Sequence, residues 1–61
     1  MPTVEVGDYV AYWEEGSGTV CVYNKITEAC TQYVCMIGQG APQWRPEPPP
    51  EVKNLFGNGC P

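Results

Sequence analysis

Four cysteines are the residues of this chain best equipped for covalent or metal chemistry, and their spacing decides between the two. Cys21, Cys30, Cys35 and Cys60 form an even set in a chain of 61 residues. A structural zinc site wants close thiolate pairs, or one such pair and two histidines. Here there is no histidine, and Cys30 and Cys35 are the only close pair. Cystine fits better. At this size folding buries only about 60% of the surface that the unfolded chain exposes, and each bridge adds about 2 to 4 kcal/mol by constraining the unfolded state. A disulfide framework of this kind belongs outside a reducing cytosol.

The side chains needed for catalysis are missing. Nucleophilic catalysis of the Ser-His type needs a base to take the hydroxyl proton, and the chain has a single serine, Ser17, in a glycine turn, and no histidine. Glu14 and Glu15 are adjacent, so on a strand they diverge to opposite faces and in a turn they are solvated. Glu47 and Glu51 lie near Arg45 and Lys53, where weak surface ion pairs account for them. No phosphate-binding glycine loop or calcium loop is present. The expectation is a non-enzyme without metal or cofactor.

Aromatic side chains are what remains for recognition. A flat ring stacks on the apolar face of a sugar or packs on a partner, and Trp13, Tyr9 and Trp44 are the candidates. Trp13 closes its strand beside two glutamates, and Tyr9 shares its face. Trp44 precedes a proline run and is also placed to pack beneath it. Tyr12, Tyr23 and Tyr33 read as core or cross-strand residues.

The elements that must position these groups are mostly strands. Val4 to Trp13 alternates valine and aromatic residues around a Gly7-Asp8 bend, and Glu14 to Gly18 makes a polar, glycine-rich turn. Val10 and Tyr12 share one face of the strand, while Tyr9, Ala11 and Trp13 share the other. Thr19 to Tyr23 and Glu28 to Cys35 read as a hairpin turning at Asn24 to Thr27. With Tyr23 facing Glu28, Cys21 falls opposite Cys30, which leaves Cys35 to bond Cys60. Four cysteines allow three pairings, so this connectivity is an expectation.

Six of the seven prolines fall between Pro42 and Pro61. Arg45 to Pro50 reads as an extended polyproline strap, followed by a helical turn that places Val52, Leu55 and Phe56 on one side. The sum is one small all-β domain over residues 1–61: an antiparallel sheet with a long hairpin and a proline-rich C-terminal wrap, stapled by disulfides.

In order and rough spacing, the chain resembles carbohydrate-binding module families 5 and 12, the chitin-binding type 3 domains. Gly7-Asp8-Tyr9-Val10-Ala11-Tyr12 is similar to their opening G-D-x-V-x-Y strand, and Tyr33-Val34-Cys35 to a later Y-x-C or Y-x-A strand. Trp44-Arg45-Pro46 and Leu55-Phe56 are similar to the W-x-P and leucine-aromatic pair that close many members. The chain departs from that pattern by an inserted hairpin between Glu14 and Gln32. The resemblance implies a non-catalytic module appended to a secreted hydrolase and holding a polysaccharide.

Net charge bounds the partners. At −4, with only Lys25, Arg45 and Lys53 positive, no basic patch exists for nucleic acid or an anionic membrane. No transmembrane span or secretory leader is read from the sequence. Two functions fit. One is a structural decoration or adhesion subunit of a virion or similar assembly, docked on a capsid or tail protein. The other is a carbohydrate-binding module for chitin, cellulose or a cell-surface glycan, using Trp13, Tyr9 and Trp44. Either acts at an extracellular or virion surface. A protease-inhibitor loop between Cys35 and Cys60 is a third reading.

Overall fold

Alternation of β-branched and aromatic residues with turn-forming glycine, asparagine and aspartate dictates a meander, and the computed structural model, which describes residues 2–61, has one. Five strands, β1 (Thr3–Val6), β2 (Tyr9–Trp13), β3 (Thr19–Asn24), β4 (Cys30–Ile37) and β5 (Pro42–Arg45), form a single antiparallel sheet in sequence order. A short helix, α1 (Pro50–Lys53), follows. The all-β class and the long β3–β4 hairpin are those expected. The fifth strand is not: Trp44 pairs with Cys35 where the sequence suggested only the approach to a proline strap.

Period-two alternation sorts the side chains onto two faces. Ala11, Val20, Val22, Cys35 and Trp44 are buried on one face, together with Val52 of α1, and Val6, Tyr9, Trp13, Tyr33, Leu55, Phe56 and Cys60 pack around them. Pro48 is buried as well. The chain after β5 therefore does wrap the sheet, and it covers this face. Pro50 opens α1, where the missing N–H costs nothing, and Val52 at 0% exposure is the apolar contact that docks the turn.

The Cys35–Cys60 disulfide closes the wrap, with Cα atoms 5.6 Å apart. Beside it the Gly18 N–H donates to the Pro61 carbonyl at 3.0 Å, and the Cys35 N–H donates to the Gly18 carbonyl at 2.7 Å. Gly18 has φ +72°, and a Cβ there would lie 3.2 Å from the Cys35 carbonyl oxygen, so glycine is required both for the turn and for the close approach.

The expected Cys21–Cys30 bridge is absent: both cysteines are free. The cause is the β3–β4 turn. Asn24 Oδ1 accepts hydrogen bonds from the N–H groups of Ile26 (2.8 Å) and Thr27 (3.1 Å), an Asx turn that curls the chain early. Glu28 takes a left-handed φ of 61°, its N–H reaching the Asn24 carbonyl, and Asn24 in turn bonds Ala29. The turn is thus two residues longer than the direct count assumed. Tyr23 faces Cys30, and Cys21 faces Gln32. The two thiols become diagonal neighbours, beyond the Cβ separation that an unstrained disulfide needs.

Candidate functional site

With one face covered, the other carries whatever the sheet presents. Thr3, Glu5, Val10, Tyr12, Thr19, Cys21, Tyr23, Cys30, Gln32, Val34, Met36, Gln43 and Arg45 alternate onto it by register. None of these residues is buried. One end of this face is apolar: Val34 is 43% exposed and Met36 55%, while Ile37, 68% exposed at the strand end, falls by register on the side of Cys35. From Ala29 to Trp44 the chain has no charged residue at all. An uncharged strand and hairpin tip with exposed methionine and β-branched side chains has the composition of the centre of a protein interface, where charge is depleted and methionine enriched. A single such residue means little, but a contiguous group does.

Arg45 borders the patch, directly across from Val34. Lys25 is ion-paired with Glu5 and Lys53 with Glu47, while Arg45, exposed on the open face, has no ion pair among the described residues. At the same end of the sheet, beyond Thr19, the β2–β3 turn carries Glu14 and Glu15, both exposed. Cation, apolar centre and carboxylates thus follow one another across one end of the face.

The candidate aromatics sit on the covered side. Tyr9 pairs with Val6, and Trp13 with Val20, so both point toward the core, half-buried. Trp44 is only 9% exposed. Trp13 and Trp44 are brought together, but around Phe56: the Trp13 and Phe56 ring centroids are 4.7 Å apart at 73°, and those of Trp44 and Phe56 are 5.6 Å apart at 41°. The three do not form an open row. Tyr12 and Tyr23, read from sequence as core or cross-strand residues, stand on the open face as cross-strand partners of Cys21 and Val10.

Tyr12 there contacts sulfur. Its hydroxyl lies 3.7 Å from Cys30 Sγ, and the hydrogen bond to Cys30, then the negative charge that Cys30 and Cys21 develop, raise the phenol above its ordinary range. On the same face, the hydrogen bond and charge of Lys25 hold the Glu5 carboxyl below its usual range. Among the described residues no group of three or more histidine, cysteine, aspartate or glutamate side chains is placed to hold a metal ion. Among the described residues no helix is long and apolar enough to cross a membrane.

Sequence reasoning missed the Val34 and Met36 patch because it looked for recognition only among aromatic side chains. The signal that finds it is the uncharged run itself. No family model, curated protein or solved structure matches the chain.

Proposed function

We propose that this is a non-catalytic structural subunit, a decoration or adhesion module of a virion or similar extracellular assembly, which makes its contacts through the open sheet face. The observation that carries the reading is the uncharged stretch from Ala29 to Trp44 with Val34 and Met36 left exposed on the open face. A flat apolar patch suits a broad protein surface rather than a small molecule, for which a concave, enclosing pocket is the rule. The Cys35–Cys60 bridge fits a site of action outside a reducing cytosol.

A density gradient of assembled particles from the source tests this. The wild-type chain is expected in the particle band, Met36→Asp is expected to be lost from it, and Ile26→Asp, a still more exposed apolar site in the β3–β4 turn, is expected to stay. Equal retention of all three chains contradicts the reading.

A second reading has its own observation. A shallow groove of about 200 Å³ is lined by Tyr12, Trp13, Glu14, Ser17, Thr19 and Cys21, which combines aromatic rings with hydroxyl and carboxylate groups suited to a sugar. This supports a polysaccharide-binding module, in keeping with the resemblance to the chitin-binding type 3 domains. Retention of the oxidised protein on insoluble chitin or cellulose, abolished by Trp13→Ala and not by Met36→Asp, would favour it over the assembly role.

A further inference from the structure

The chemistry around the apolar patch is self-complementary. Going across the sheet at the height of the Thr19–Val34–Arg45 row, the open face presents Thr19 on β3, Val34 on β4 with Met36 two residues on, and Arg45 on β5. The exposed Glu14–Glu15 turn lies next to Thr19, just past the Trp13–Val20 pair. Adjacent strands are about 4.8 Å apart, so Arg45 lies one strand to one side of Val34, and Thr19 one strand to the other. A two-fold axis running along β4 between two sheets packed face to face exchanges these sides. It lays Val34 and Met36 on their own copies and carries Arg45 of one chain over Thr19, within an arginine's reach of the partner's Glu14–Glu15 turn.

We propose that the first occupant of the open face is a second copy of this chain, packed sheet to sheet about that axis, with Val34 and Met36 as the dry centre and Arg45 against Glu14 and Glu15 across it. This rests on the reading of the open face as a contact surface and names the partner. Three features carry it. Arg45 is the one cation without an ion pair among the described residues. The apolar centre has no charge to repel its own image. The rest of the chain is acidic, and an arginine at the rim answers that surplus. The contact is isologous, so it closes at two copies and does not propagate, and the packed faces resemble a β-sandwich core.

Sedimentation equilibrium of the full oxidised chain, from micromolar to millimolar concentration, tests this. The wild type is expected to sediment as a dimer at the upper end. Met36→Asp and Arg45→Glu are each expected to weaken association at least tenfold while leaving the circular dichroism unchanged, because both side chains are exposed.

The decisive sample mixes Arg45→Glu with the Glu14→Arg, Glu15→Arg double variant. In a two-fold dimer each variant repels itself, whereas in the mixed pair both contacts are attractive, one with its charges reversed and the other as in the wild type. Heterodimer from two monomeric variants is the expected result, and no heterodimer overturns the geometry. A wild type that stays monomeric throughout overturns the homotypic contact. The gradient experiment then stands apart: loss of Met36→Asp from particles with a monomeric wild type keeps the assembly role and removes only the second copy as occupant.

Discussion

Trp13 meets Phe56 edge to face, with centroids 4.7 Å apart and planes at 73°. The contact joins β2 to the chain beyond α1, and Trp44 flanks the same ring from β5. Edge-to-face pairs contribute about 0.5–1.5 kcal/mol beyond their buried area. Phe56→Ala removes the ring that both tryptophans pack on, and should cost about 3 kcal/mol. Urea unfolding followed by tryptophan fluorescence measures it. A loss within the range of ordinary surface substitutions, about 0.5 kcal/mol, would mean the cluster holds little.

The Cys35–Cys60 bridge spans 25 residues, and loop-closure entropy over that span gives about 3.5 kcal/mol. Paired replacement of Cys35 and Cys60 by serine should therefore lower the melting temperature strongly, whereas Cys21→Ser with Cys30→Ser should leave it nearly unchanged. A thiol titration of the unreduced, denatured chain should find two free thiols, belonging to Cys21 and Cys30. Zero thiols would show that the β3–β4 register closes further than the diagonal pairing allows.

How much of this was legible beforehand differs by element. The strands announce themselves by alternation, whereas the Cys35–Cys60 closure was reached as the remainder of a Cys21–Cys30 pairing that the structure does not have. The β3–β4 register was not legible by counting, because it depends on Asn24 Oδ1 capturing two N–H groups and on Glu28 accepting a left-handed φ. Glycine announces such a conformation, and glutamate does not. The choice of face on β2 was equally hidden. Both Val10–Tyr12 and Tyr9–Ala11–Trp13 are apolar sets, and only the docking of Phe56 and Val52 decides which is covered.

Glu5 titrates below its usual range because of the Lys25 hydrogen bond and then its charge. A carboxyl depressed in the folded state contributes stability above its unfolded pKa and loses it as pH falls through the folded value. The pair is exposed, so the effect on stability is small. Carboxyl NMR through the acid range should show Glu5 lowered, and Lys25→Ala should return it upward. No change on that substitution would place the cause elsewhere.

Tyr12 titrates above its ordinary range, through the Cys30 hydrogen bond first and the charge of Cys30 and Cys21 next. The raised value means that this phenol's contribution is intact below the unfolded pKa and is lost as pH rises through the folded one. Ultraviolet titration of tyrosinate, compared between the wild type and Cys30→Ser, should show one phenol moving down toward the ordinary value in the variant. Superimposable curves would remove the thiol as the cause.

The most direct measurement is the accessibility of Met36 in the assembled particle, read by hydroxyl-radical footprinting and mass spectrometry of its sulfoxide. In the free chain Met36, at 55% exposure, should oxidise readily. In the particle, contact through the open face predicts strong protection of Met36 and Val34, with Ile26 at the far end of β3 still labelled. Met36 labelled at the same rate in free and assembled protein would contradict the use of this face.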